Sequence, residues 1–139
     1  GTNKETGRQM NEGETEVDLI PQGTLAERIR AGGYGLGGVL TPTGIGTKVQ
    51  EGKQVIEVDG KPYLLEKPIR GDVALLFAHK ADKYGNLKLR AATRNFNIVM
   101  ASAADITIVQ ALEVVDMLDP DEVDVPGIFV NYIVDGRAL

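Results

Sequence analysis

The chain has 139 residues and a net charge of −5 at pH 7, with 42% apolar residues, 5% aromatic residues and no cysteine. This length suits one domain spanning residues 1–139, and the acidic charge and few aromatic residues argue against nucleic acid as a partner. Because no apolar run reaches the length of a bilayer span, no membrane partner is expected either. The absence of cysteine excludes disulfides, thiol nucleophiles and thiolate metal sites, and it fits a reducing cytoplasm.

The first predicted elements are a strand, a tight turn and a helix. Residues 16–20 end in an apolar pair and predict the strand, and Pro21-Gln22-Gly23 predicts the turn. Thr24 and Glu27 then match the capping box that opens a helix, which Gly32-Gly33 would end. In open α/β sheets ligands bind outside the carboxyl ends of strands, so this order places Gln22, Gly23 and Thr24 in a binding crevice. The alternative is that Pro-Gln-Gly is only a tight connection and Gln22 a solvated amide.

A glycine-rich run at residues 31–47 is the most informative feature of the sequence, because it holds seven of the 17 glycines. Glycine costs about 0.5–1 kcal/mol inside a regular element, so the run predicts unusual backbone conformations with bare N–H groups facing a ligand. Within it, Gly33-x-Gly35-x-x-Gly38 matches the dinucleotide-binding fingerprint, but that motif must follow a strand and open a helix. Here it follows a predicted helix and precedes Pro42, so we reject a dinucleotide site.

The rest of the chain predicts a hairpin, two central strands and a last strand. The hairpin joins residues 55–58 to residues 63–66 through a four-residue loop at 59–62. Residues 73–78 are apolar without alternation, which predicts a strand covered on both faces. Three further elements are a helix at 95–104, a buried strand at 105–109 and a last strand at 128–134. This order predicts an α/β fold with a mostly parallel open sheet covered by helices and a β-hairpin excursion.

Reactive side chains are scarce, since the chain has one histidine, His79, and one serine, Ser102. A Ser-His-Asp triad would need both, but Ser102 lies in a predicted packed helix and not on an exposed turn, so we disfavour a triad. His79 is interpreted as an ordinary residue at a strand end. No spacing typical of a metal site occurs. The acidic residues near the end predict a solvated loop, with calcium binding as a second alternative: Asp116, Asp119, Asp121, Glu122 and Asp124.

Several ordered blocks resemble the α subunit of the 3-oxoacid and acetate/acetoacetate CoA-transferases. The similarity covers essentially the whole chain. The blocks are PQGTLAERIR at 21–30, AGG at 31–33, TPTGIGT at 41–47, EGK at 51–53, LEKPIRGD at 65–72, AATRNFN at 91–97 and VPGIFV at 125–130. The resemblance implies a fold of the CoA-transferase and ribose-phosphate-isomerase type, and transfer of CoA from an acyl-CoA to a free carboxylic acid.

In this family the reaction passes through a glutamyl-CoA thioester, and the glutamate belongs to a Ser-Glu-Asn-Gly-like motif in the β subunit. No glutamate of this chain is followed by Asn-Gly, so we assign it no catalytic nucleophile. The implied partners are the CoA-transferase β subunit in a hetero-oligomer, acyl-CoA and short-chain carboxylic acids, with CoA as a substrate and no bound cofactor. In the family the α subunit starts further upstream with a first βα unit, so the chain is expected to correspond to its larger, C-terminal portion.

The predicted substrate-binding residues offer uncharged hydrogen-bond donors, which a carboxylate or a tetrahedral oxyanion requires. They are Gln22 and Gly23 first, then Gly37 and Gly38, with Thr43 and Gly44 shaping the wall, and Asn95. N-capping of the predicted helix explains Asn95 equally well.

Two other functions stay open from the sequence. One is a sugar-phosphate isomerase-like enzyme on a related scaffold, in which the glycine run grips phosphate. The other is a non-catalytic interaction module, in which that run only orders a partner's surface.

Overall fold

The computed structural model describes residues 3–138. Two helices open it, and two β-sheets follow. The elements in chain order are α1 (Lys4–Asn11), α2 (Gln22–Gly33), β1 (Val39–Thr41), β2 (Val55–Val58), β3 (Lys61–Glu66), β4 (Gly71–Asp82), β5 (Leu87–Lys88), α3 (Asn97–Met100), β6 (Ala104–Val115) and β7 (Tyr132–Asp135). Short 3₁₀ turns lie at Lys48–Gln50, Ala91–Arg94, Pro120–Glu122, Gly127–Phe129 and Gly136–Ala138.

The larger sheet has the strand order β5-β4-β6-β7, with β4, β6 and β7 parallel and β5 antiparallel to β4. The predicted α/β fold with a mostly parallel sheet is therefore confirmed. The strand predicted at 105–109 lies inside β6, which extends through Val115. Parallel strands need a crossover connection, and the segment containing α3 provides it between β4 and β6.

The smaller sheet is antiparallel, with β3 between β1 and β2. The predicted hairpin is confirmed, but its loop has two residues instead of four. Asp59 and Gly60 both have positive φ, 50° and 73°, as the twist-matched two-residue turn requires. Such a turn lets the two strands pair up to Val58 and Lys61, so residues predicted as loop belong to the strands.

The helix predicted at 95–104 is wrong in length, because α3 covers only Asn97–Met100. The chain already enters β6 at Ala104, and the Thr107 hydroxyl donates to the Ala101 carbonyl oxygen at 3.0 Å, which fixes the end of the connection. The last strand is also shorter than predicted. Residues Gly127–Phe129 form a 3₁₀ turn instead, and β7 begins at Tyr132.

The strand predicted at residues 16–20 is wrong. No regular secondary structure forms there, and no strand among the described residues pairs with this segment. A strand satisfies its backbone groups only beside a partner, so an apolar pattern without one stays extended or irregular. Leu19 is 89% exposed as a result.

Helix α2 begins earlier than predicted, at Gln22, with Pro21 as its N-cap and no side-chain cap. The predicted capping box of Thr24 and Glu27 is therefore wrong, because Thr24 is already a buried residue of the first turn. Gly32 and Gly33 lie inside the last turn. A Cβ on Gly32 would stand 1.9 Å from the Ile69 carbonyl oxygen, and one on Gly33 would stand 2.2 Å from Ser102 Oγ. Close packing explains both glycines.

The core lies on one face of the larger sheet. Alternate residues of β4 are buried there, and α3, β5 and the segments around Val125 and Phe129 pack against them. The residues that alternate with them on β4 are exposed on the other face, so the expectation that β4 is covered on both sides is wrong for this chain. The exposed apolar residues of that face are Val73, Leu75 and Phe77 on β4, Ile106 and Leu112 on β6, and Tyr132 and Val134 on β7.

Candidate functional site

The N-terminus of α2 presents free backbone donors. The first helical hydrogen bond runs from the Leu25 N–H to the Pro21 carbonyl oxygen at 2.9 Å. The preceding N–H groups, those of Gln22, Gly23 and Thr24, have no intrahelical acceptor, as in every α-helix. Gln22 and Gly23 are both exposed. The helix dipole favours a negative group at this position, so this turn can hold a carboxylate or an oxyanion.

A cavity of about 440 Å³ lies beside this turn. Its walls combine the first turns of α2 with β1 and the residues that follow β1. The lining residues are Pro21, Gly23, Thr24, Ala26, Glu27, Val39, Leu40, Thr41 and Thr43. Two predicted site residues, Gly23 and Thr43, therefore line the same cavity, and Gln22 directly precedes Gly23 in the chain.

Thr24 is another polar residue of this cavity; the sequence analysis placed it in the crevice but misassigned it as a helix cap. It is 6% exposed, and its Oγ1 atom is buried without a hydrogen-bond partner among the described residues. Buried polar atoms in folded proteins nearly always have a partner, so an unpaired hydroxyl in a cavity wall is a candidate ligand contact. The Thr-x-x-Glu pattern suggested a cap, and only the true start of the helix reveals the buried position.

Gly38 and Gly44 have structural reasons to be glycine. Gly38 has φ of 155°, and a Cβ there would approach the Glu66 carbonyl oxygen to 2.7 Å. Gly44 has φ of 95°, and a Cβ there would approach the Val49 side chain to 2.7 Å. Gly37 is exposed, and a Cβ there would meet open space. None of the three lines the 440 Å³ cavity, and their role in binding stays a prediction.

Asn95 lies at the end of the 3₁₀ turn Ala91–Arg94 and is exposed. It does not cap α3, whose N-cap is Phe96, so the N-capping explanation is wrong. Two residues further on, the Asn97 side chain makes a tertiary contact, because its Nδ2 donates to the Phe77 carbonyl oxygen at 2.9 Å. Asn95 is not among the residues that line the cavity beside Gly23.

A second, larger cavity of about 640 Å³ lies around the buried carboxylate of Glu66. Lys53 Nζ donates to Glu66 Oε1 at 2.6 Å, and Arg28 Nη1 lies 3.9 Å from Glu66 Oε2. Arg28 Nε also donates to the Lys67 carbonyl oxygen at 2.7 Å. Through these contacts Glu66 ties α2 to β3 and to the segment before β2. The sequence prediction missed this arrangement because its members are distant along the chain.

The carboxyl end of β4 carries another buried carboxylate, Asp82. Its oxygens accept hydrogen bonds from the Tyr84, Asn86 and Leu118 backbone N–H groups and from Asn86 Nδ2, at 2.9–3.2 Å. Burial raises the pKa of Asp82, but the bonds from Asn86, Leu118 and Tyr84 outweigh burial and hold the pKa below its ordinary value. Asp82 is therefore an ionised anchor that orders the turn after β4.

Three of the five acidic residues near the end of the chain form separate ion pairs with basic residues. Asp116 pairs with Lys83, Glu122 with Lys88 and Asp124 with Arg94. Within residues 3–138, no group of three or more His, Asp or Glu residues is arranged to hold a metal ion. Over the same residues, no helix has the length and apolar character needed to cross a bilayer.

The family is decided by comparison with known proteins. The model of the family described as coenzyme A transferase matches residues 1–136. The chain belongs to the coenzyme A transferase family. This membership supports CoA transfer over the sugar-phosphate isomerase and interaction-module alternatives.

Three relatives show the extent of the likeness. The chain is 54% identical to the acetate CoA-transferase α subunit of Escherichia coli K12, over 96% of this chain and 62% of that protein. It is 48% identical to the acetoacetyl-CoA:acetate/butyrate CoA transferase α subunit of Clostridium acetobutylicum, over 99% of this chain and 64% of that protein. A crystal structure of an acyl-CoA transferase from E. coli O157:H7, a thioester complex with CoA, matches with a TM-score of 0.74 and 27% identity, over 86% of this chain and 28% of that one. The chain thus spans less than two thirds of the length of the two curated relatives.

Proposed function

We propose that this chain is part of the α subunit of a CoA-transferase that moves CoA from an acyl-CoA to a free short-chain carboxylic acid. The attacking group is a glutamate of a partner chain, the β subunit, which forms the glutamyl-CoA thioester, and CoA is a substrate rather than a bound cofactor. The complex is a hetero-oligomer of the cytoplasm. Family membership and the subunit names of the two curated relatives support this proposal.

The observation that carries the proposal is the uncharged donor set around the 440 Å³ cavity. Thioester exchange passes through a tetrahedral oxyanion, and donors fixed in advance around that oxygen lower the barrier. The free N–H groups at the start of α2 and the Thr24 hydroxyl are such donors. Gln22 adds an amide that can donate without bringing a charge that would compete with the partner's glutamate.

The class of acid is broader than any single name. The E. coli relative is named for acetate, and the C. acetobutylicum relative is named for acetoacetyl-CoA, which is a 3-oxoacyl thioester, and for acetate and butyrate. Discrimination among such acids depends on small pocket changes worth about 1–3 kcal/mol. We therefore propose short-chain carboxylic acids and 3-oxoacids as the substrate class.

The test uses Gln22→Ala and Thr24→Val in the full-length protein in complex with its partner. One well-placed donor is worth about 100-fold in rate, so we expect kcat to fall by roughly that factor for Gln22→Ala. Thr24→Val keeps the shape of a buried side chain and removes only the unpaired hydroxyl. We expect it to lower kcat while the melting temperature stays equal to or above that of the parent protein.

The control is Gln9→Ala on α1, which removes a half-buried amide from another part of the chain, where it bonds to Glu5 and Thr15. Borohydride or hydroxylamine trapping of the glutamyl thioester on the partner reports the reaction itself. A sugar phosphate that is turned over while acyl-CoA is not would favour the isomerase alternative. Unchanged transfer by both variants would remove the α2 turn from the site.

A further inference from the structure

A third cavity, of about 450 Å³, is lined mostly by basic residues. It lies where the end of β4, β5 and the loop after β5 meet. The basic residues are His79, Lys80, Lys88, Arg90 and Arg94, and its remaining lining residues are Leu89 and Ala91. No carboxylate lines it, although the chain has 20 acidic and 15 basic residues. Such a separation of charge in an acidic protein indicates a wall built for an anion.

The backbone places two of these cations directly side by side. Lys80 on β4 and Lys88 on β5 are register partners in the antiparallel pair. Like charges at directly opposite positions destabilise a sheet, so this pairing carries a cost. Glu113, the β6 partner of Lys80, lies 3.2 Å from Lys80 Nζ, and Glu122 pairs with Lys88. Each lysine thus has one carboxylate partner, and an ammonium group has further donors besides the one used in that pair.

The loop after β5 adds two arginines to the same wall. Ala91 has φ of 50°, a left-handed conformation that is strained for a residue with a Cβ. The turn that follows is locked by the Thr93 hydroxyl, which accepts from the Arg90 N–H at 2.8 Å and donates to the Arg90 carbonyl oxygen at 2.7 Å. This turn brings Arg90 and Arg94 to one cavity.

The charge balance of the wall is positive. Arg94 Nη2 lies 3.4 Å from Asp124 Oδ1, so three carboxylates accompany the four permanent cations. The Arg90 guanidinium makes no ion pair or hydrogen bond within residues 3–138, and Arg90 is exposed at the cavity. A guanidinium can bind two oxygens of one phosphate or carboxylate at once, which makes Arg90 the natural centre of an anion site.

We propose that this basic cavity binds an anionic oxygen group of a substrate, with Arg90 as the principal contact and Lys80, Lys88 and Arg94 around it. This inference rests on the proposed function for the identity of the ligand. The shared chemistry is an oxyanion, and its two sources in that reaction are a phosphate of the CoA nucleotide and the carboxylate of the free acid.

The kinetic experiment compares Arg90→Gln with Arg90→Lys and the control Lys61→Gln in the full-length protein in complex with its partner. Lys61 is an exposed cation in the hairpin, so its substitution removes an equal charge elsewhere. We expect Arg90→Gln to raise the KM of the substrate that binds here about ten-fold with kcat nearly unchanged, and Arg90→Lys to raise it less. Lys61→Gln leaves both KM values at the parent level.

The substrate arms identify the source of the anion. A raised KM for acyl-CoA that returns to the parent value with acyl-dephospho-CoA assigns the 3′-phosphate. A raised KM that persists with acyl-dephospho-CoA and disappears with acyl-pantetheine identifies the diphosphate of CoA as the bound group. A raised KM for the free acid alone assigns the carboxylate. Unchanged KM values for both substrates overturn the inference.

A binding measurement separates this inference from the proposed function. Calorimetric titration of the full chain with inorganic pyrophosphate or acetate at low salt is expected to show saturable binding of one of them. Arg90→Gln should weaken that binding about ten-fold, and added salt should weaken it in every variant. If neither anion binds, the cavity is not an anion site. If an anion binds as expected but no CoA is transferred, the proposed function fails and the site stands.

Discussion

The two faces of the larger sheet differ sharply in exposure, although alternate residues of the same strand supply both. Leu76 on β4 is 4% exposed in the core, while its neighbour Leu75 is 71% exposed on the opposite face. Parallel sheets usually have both faces covered, and an exposed apolar surface of this kind is one that another layer normally covers. The comparison teaches that burial in β4 depends on what lies against each face and not on how apolar the residue is.

The most direct way to break this comparison is to truncate a leucine on each face. Leu76→Ala should lower the free energy of unfolding by about 2–5 kcal/mol, because it removes packed methyl groups and leaves a cavity. Leu75→Ala should change it by less than about 1 kcal/mol, because that side chain is already in water in this chain. Urea unfolding of the two variants measures both values. Equal losses would show that Leu75 is covered in solution.

A second test extends the comparison to α2. In Gly32→Ala the new methyl group overlaps the Ile69 carbonyl oxygen, so α2 must move from the segment that leads into β4. We expect a loss of about 2–3 kcal/mol, as for other overpacked positions. Gly37→Ala is the matched control, since its methyl group enters open space and should change stability by less than about 0.5 kcal/mol. Thermal unfolding compares the pair, and an equally stable Gly32→Ala would contradict the close packing.

The smallest loss of stability is expected for a substitution at the end of β4. There the two faces of the strand no longer differ in exposure, because the consecutive residues Ala81 and Asp82 are both buried. The pKa of Asp82 lies below its ordinary value, so its contribution to stability is present above about pH 4 and is lost as the pH falls through the folded-state pKa. Asp82→Asn places an amide NH₂ among four donors. It should cost about 1–2 kcal/mol at pH 7 and progressively less below about pH 4.

Urea unfolding of the parent protein and Asp82→Asn between pH 7 and pH 3 measures this change. A stability difference that does not depend on pH would mean that the carboxylate charge is not what orders the turn.

The fold class and much of the element order could be predicted from the sequence, because they depend on local patterns. The hairpin around Asp59-Gly60 and the parallel pairing of β4 with β6 follow from turn residues and from apolar runs joined by a crossover. The strand predicted at residues 16–20 failed because strand formation requires a neighbour, which no local pattern reveals. The prediction of where α2 begins was wrong because a Thr-x-x-Glu match cannot show which residue takes the N-cap.

The candidate site divides in the same way. The sequence by itself predicted Gln22, Gly23 and Thr43 as uncharged residues of an acyl-binding pocket, since residue type and glycine density are local properties. Only the tertiary structure decided that Gly23 and Thr43 share a cavity and that Thr24 has an unpaired hydroxyl there. It also decided that Glu66 and Arg90 each lie near basic residues that are far from them along the chain. Packing and pairing between segments far apart in the chain set these positions, so they appear only once the chain is folded.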